Sequence, residues 1–189
     1  MTEDPRRQSV DIRFGCFLPP VRDSKDAVVG GVFREVLDEE LLRRLRLELG
    51  ISYAPYVRVQ FLRGGTFVLD GHLDVGQSDL PRALKILRGW LGTNGPLPET
   101  HTFEKARWRM ARRSGLAYPT NDALARGLFD AWNMGLPLAS LDQFPHDLAG
   151  LTPEDLTAAL AACRASAVVS VIGRGPLPAA TGEQRPAAQ

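Results

Sequence analysis

On either side of Arg63-Gly64-Gly65 the sequence alternates with a period of two, and no other feature constrains the fold as tightly. Before the turn, Tyr53, Pro55, Val57, Val59 and Phe61 share one face, while Arg58 and Gln60 share the other. After it, Phe67, Leu69, Leu73 and Val75 oppose Thr66, Asp70, His72 and Asp74. Successive side chains of a strand point to opposite faces, so this pattern predicts a hairpin with one buried and one polar face. A sheet of that kind needs a layer of helices over its apolar face.

The rest of the chain supplies that layer. Val10 to Leu18 alternates as a strand, and Pro19-Pro20 ends it. From Asp23 the period becomes helical, with Val28, Val29, Val32, Phe33, Val36 and Leu37 in one wide apolar stripe. Asp38 suits the cap of a second helix, in which Leu41, Leu42, Leu45 and Leu49 face the core. Glu39 with Arg43, and Glu40 with Arg44, would then pair on its wet side, and Gly50 would end it in the left-handed conformation.

Beyond the hairpin, Ser78 can cap a helix with Leu80, Ala83, Leu84, Leu87 and Leu91 on its apolar side. A second helix runs from about Thr100 to Ser114, and a third carries Leu124, Ala125, Leu128 and Trp132. Thr152-Pro153-Glu154-Asp155 opens the last one, with a capping Thr, a Pro at the first helical position and an acid at the third. Ala167 to Ile172 closes the chain as a strand. The order β-α-α-β-β-α-α-α-α-β predicts an α+β fold, a mainly antiparallel sheet with helices packed on one face.

A length of 189 residues suits one domain, expected over 9–174, with the polar segments 1–8 and 175–189 read as disordered tails. A net charge of +1 and 24% charged residues give no reason to expect nucleic acid or an anionic membrane as partner. No run approaches the roughly 20 apolar residues of a membrane span, and residues 1–7 lack the apolar stretch of a signal peptide. The expected location is cytoplasmic, unless the chain is a fragment of an exported precursor. Cys16 and Cys163 fit no metal or redox spacing and read as two buried thiols, with a disulfide between them as the unsupported alternative.

Candidate chemistry is sparse. His72 and Asp74 project from one strand face, yet polar residues on a wet face need no metal to explain them. His101-Thr-Phe-Glu104-Lys105 has Lys where an inverted zinc motif has its second His, and an ammonium group is no ligand. Lys105, Arg107, Arg109, Arg112 and Arg113, with Trp108 among them, are flanked by Glu99 and Glu104 and read as a solvated helix face. There is no nucleophile elbow, phosphate loop or dinucleotide fingerprint.

What remains is Leu41 to Tyr53, where a helix stops at Gly50 and turns at once into a strand, bringing Arg46 and Tyr53 to one rim. The ordinary reading makes Arg46 a surface residue and Tyr53 a packed strand residue. Alternatively, a guanidinium and a phenol at one rim can donate hydrogen bonds to a peptide carbonyl or a developing oxyanion.

The pattern Leu45-Arg46-x-x-x-Gly50-x-x-Tyr53 resembles L-R-x-x-x-G-x-x-Y in the C-terminal, non-catalytic half of the insulinase/pitrilysin family of zinc metallopeptidases, which includes the mitochondrial processing peptidases. Agreement extends over residues 9–173: Gly30-Gly31 in the preceding helix, the hairpin, the helix start at Leu151 to Leu156, and the Val-rich last strand ending at Gly173. The resemblance implies a non-catalytic substrate-binding half or subunit, in which Arg46 and Tyr53 contact peptide. It implies no catalytic residue, metal or cofactor in this chain and no peptidase activity alone. Zinc and the general base would sit on an H-x-x-E-H partner half of the same family, and a homodimer is a further assembly to consider. On this resemblance the equivalent of the zinc helix would lie around Asp23 to Leu37, a segment that holds no His. With a partner present, Arg58, Gln60, Asp70, His72 and Asp74 would form a chamber wall. The competing reading is a scaffold or assembly protein that keeps the fold without proteolysis, while a free-standing zinc hydrolase lacks a ligand set.

Overall fold

The computed structural model describes residues 9–62, 65–92, 95, 99–114 and 120–172, so the expected tails 1–8 and 175–189 lie outside the described residues, as does Gly173. Strand β1 (Ser9–Leu18) leads into helix α1 (Ser24–Leu41), which runs on directly into a π-helical turn, Leu42–Glu48. The hairpin β2 (Tyr56–Leu62) and β3 (Thr66–Gly76) follows, then a short 3-10 turn, Gln77–Asp79. Helices α2 (Leu80–Leu91), α3 (Thr100–Ser114), α4 (Asn121–Met134), α5 (Ser140–Ala149) and α6 (Asp155–Ser166) precede the last strand, β4 (Val168–Ile172).

The sheet order is β2-β3-β1-β4. Every pairing is antiparallel, with Arg58 opposite Asp70, Arg13 opposite His72 and Phe14 opposite Val169. Val10, Ile12, Phe14, Cys16 and Leu18 of β1 are buried together with Val57, Phe67, Leu69, Leu73 and Val75. This is the α+β arrangement that the period-two pattern demands, because one sheet face is covered and the other is polar.

Helix α1 is the central piece of the cover. Asp23 caps it by accepting the amide N–H of Asp26 at 2.9 Å, and Val28, Val32, Phe33, Val36 and Leu37 are buried along its expected stripe. Gly30 lets it lie against Phe67: a Cβ at Gly30 would stand 1.8 Å from Phe67 Cε1. Phe67 in turn stacks on Phe61 at 4.4 Å.

The break expected at Asp38 does not occur. No Gly or Pro interrupts the chain there, and Asp38 Oδ1 instead accepts the amide N–H of Val57 at 2.9 Å, tying α1 to β2. The acids beside it are not on a wet side either. Glu39 pairs with Lys105 and, at 2.6 Å, with Arg109 of α3. Glu40, 4% exposed, is held by Arg43 at 2.8 Å and Arg44 at 3.7 Å. Glu35, equally buried, meets Arg34 and Arg113. Much of the basic run on α3 therefore docks against acids of α1, alongside buried Phe103 and Ala106, while Trp108 stays exposed with Arg112 stacked over it at 4.8 Å.

Four smaller differences have local causes. Helix α5 is absent from the expected order because it contains Pro145, which cannot donate a helical hydrogen bond. Ser78 lies inside the 3-10 turn and caps nothing. Helix α4 is capped by Thr120 and buries Ala131, but its anticipated apolar residues Leu124 and Trp132 are exposed. At the start of α6 the Asp155 carboxylate accepts from both the N–H (2.8 Å) and the hydroxyl (3.0 Å) of Thr152, so the hydroxyl donates where a capping role has it accept.

Cys16 and Cys163 are not free thiols: they are joined in a disulfide, with Cα atoms 4.8 Å apart, that ties β1 to α6. Among the described residues no helix is long and apolar enough to cross a membrane.

Candidate functional site

The corner that carries Arg46 and Tyr53 is built around one backbone oxygen. Leu45, wholly buried, anchors the π-helical turn in the core, and its carbonyl accepts the N–H groups of both Ile51 (2.9 Å) and Ser52 (3.2 Å). Gly50 makes the reversal by adopting φ = 63°, a conformation that costs L side chains energy and glycine little. Ser52 then bridges to Val75 of β3, which fixes the chain against the sheet before β2 begins.

This corner brings the two sequence-chosen residues together. The Arg46 guanidinium carbon lies 4.8 Å from the centre of the Tyr53 ring, a cation–π contact. Tyr53 is 81% exposed, so the reading of it as a packed strand residue does not hold; it precedes β2 and stands clear of the sheet. Together they border an open groove floored by Ile51, Ser52, Asp74 and Gly76. The Asp74 carboxylate, which accepts from the Ser9 hydroxyl, gives the lining a negative charge beside the positive one of Arg46.

Ser52 was not singled out by the sequence. It is 3% exposed, and its hydroxyl has no hydrogen-bond partner among the described residues. Its only signal was its place inside Gly50-x-x-Tyr53, since a lone Ser in a turn is too common to mark a site.

The polar sheet face continues from this groove. Arg58 binds Asp70 at 2.7 to 2.9 Å, and Gln60 donates to the same carboxylate at 2.8 Å. Asp11 receives Arg13 at 3.0 Å and His72 Nε2 at 3.1 Å, and the Tyr56 ring lies 5.3 Å from that of His72. Asp11 holds the Arg13 guanidinium above its ordinary range, chiefly through this hydrogen bond. Charges on this face are thus paired laterally and leave a wall of fixed donors and acceptors.

The histidines do not converge. His72 faces Asp11 and not Asp74, His101 lies 3.5 Å from Glu99, and His146 lies 3.7 Å from Asp147. Among the described residues no group of three His, Cys, Asp or Glu side chains is placed to hold a metal ion, so a zinc centre does not fit them.

Neither a protein-family model nor a curated protein sequence matches the chain. Solved structures do. The inactive peptidase domain of a candidate zinc protease from Bordetella parapertussis is 13% identical, with 92% of this chain and 95% of that one covered, at a TM-score of 0.71. The M16 peptidase inactive domain from Pseudomonas fluorescens is 18% identical, with 87% of this chain and 40% of that one covered, at a TM-score of 0.66. Pitrilysin is 16% identical, with 94% of this chain and 20% of that one covered, at a TM-score of 0.58. The chain therefore spans nearly all of the first structure but only a fraction of the other two. At such identities the likeness is one of fold: this chain has the fold of the inactive half-domains of M16 peptidases.

Proposed function

We propose that this chain is a non-catalytic, substrate-binding half of an insulinase-type zinc peptidase, its single domain spanning residues 9–174 and working against a partner half that carries the metal. The observation that most supports this reading is the pairing of Arg46 with Tyr53, 4.8 Å apart and both exposed, at the rim of an open groove on a domain of this fold.

The hydrolytic chemistry is supplied by the partner. This chain holds an extended peptide along the groove and the polar sheet face. Arg46 and the Tyr53 hydroxyl donate to the scissile carbonyl oxygen and stabilise the negative charge that develops on it. Arg58, Gln60 and Asp70 offer further donors and acceptors to the peptide backbone. No turnover is expected from the chain alone.

Co-expression with an H-x-x-E-H half tests the proposal. Arg46→Ala and Tyr53→Phe should each lower peptide turnover while leaving assembly with the partner intact. Wild-type turnover in both variants would remove the role proposed for the pair and favour a scaffold that retains the fold without serving proteolysis.

A further inference from the structure

Cys16 and Cys163 are the only two cysteines of the chain, and both lie in the core, 4% and 0% exposed. Cys16 occupies the covered face of β1, a strand flanked on both sides by β3 and β4, and Cys163 sits on the buried side of α6. Their Cα atoms are 4.8 Å apart, inside the range of roughly 4.4 to 6.8 Å that bonded cysteines occupy. The placement does not depend on the sulfurs alone. One turn further along α6 the Ser166 hydroxyl accepts the N–H of Phe17 at 2.8 Å, so the backbone beside the pair is held in register independently.

Burial on this scale bears on when and where the bond forms. Thiol–disulfide exchange needs an attacking sulfur in line with the bond, and neither sulfur is accessible once α6 covers β1. A reducing cytosol keeps thiols reduced, while oxidising compartments join them.

We propose that this domain folds in an oxidising, extracytoplasmic compartment, where Cys16 and Cys163 are joined before α6 seals the core, and that the bond is a permanent fastening and not a redox switch. The two thiols lose two protons and two electrons. The acceptor is the disulfide of a thiol–disulfide oxidase, which leaves as a dithiol after a mixed-disulfide intermediate. This places the chain outside the cytoplasm, and it stands independently of the function proposed above.

Two measurements decide the matter. Cells that make the chain are quenched in acid, free thiols are blocked with N-ethylmaleimide, and the isolated chain is digested without reduction. Cys16 and Cys163 should be recovered as one linked pair of peptides, from an extracytoplasmic fraction; recovery of both as alkylated thiols would overturn the proposal. The purified, folded chain is then treated with dithiothreitol with and without denaturant. Reduction of the native protein should be slower by roughly tenfold or more, because it must wait for local opening. Equal rates would overturn the claim that the bond is sealed in the fold.

Discussion

The guanidinium of Arg46 stands over the ring of Tyr53 at 4.8 Å, so each residue limits where the other can point. Tyr53→Phe keeps the ring beneath the cation and removes only the hydroxyl. If that hydroxyl serves the reacting carbonyl, kcat of the assembled peptidase should fall by roughly a hundredfold with little change in KM, as on loss of one oxyanion donor. Arg46→Lys keeps the charge but loses the planar fork, and should recover only part of the Arg46→Ala loss. Steady-state kinetics with the partner half present check both.

Gly50 governs how that pair is presented. A side chain at φ = 63° costs about 1–2 kcal/mol, and no other atom lies near enough to add a clash. Gly50→Ala should therefore lower stability by about that amount in denaturant unfolding, and turnover should fall as Tyr53 shifts relative to Arg46.

Gly30 has a different reason to be glycine. Its Cβ would meet the Phe67 ring at 1.8 Å, in a core where Phe67 is 1% exposed and cannot swing away. Gly30→Ala should cost about 1–3 kcal/mol through overpacking. Adding Phe67→Leu should return part of the loss, and a double-mutant cycle on the unfolding midpoints reads the coupling.

Glu39 makes acid a specific challenge to the α1–α3 contact. Burial pushes its carboxyl upward, but hydrogen bonds from Lys105 and Arg109 outweigh this and hold it below its ordinary 4.5. Between the folded value and 4.5 the unfolded chain binds more protons than the native one, so stability rises with pH there. The contribution is complete above 4.5 and is lost as pH falls through the folded value. Glu39→Gln should flatten that part of the curve in unfolding experiments run across acidic pH.

The sequence is legible where burial repeats with a simple period. The hairpin faces, the α1 stripe and the Gly50 stop all follow from local chemistry, and Arg46 and Tyr53 stood out because they flank that stop. Contacts between distant residues carry no such period. Glu35 meeting Arg113, Asp38 accepting from Val57 and Cys16 joining Cys163 depend on how the layers settle. Local signals also misled where a donor was missing or a burial pattern was inverted, as with Pro145 inside α5 and exposed Trp132 on α4. Ser52 carries no signal beyond its place before Tyr53, since its interest lies in a buried hydroxyl with no partner among the described residues.

The covalent link between β1 and α6 encloses 147 steps of chain, nearly the whole of the described domain. A single backbone cut anywhere inside that span leaves two pieces that remain one molecule, aligned by the sheet and unable to diffuse apart. For a protein proposed to work beside a peptidase centre, a nick is an expected accident of service. Closure of the chain into a ring turns that accident from loss of the domain into a scar it can carry.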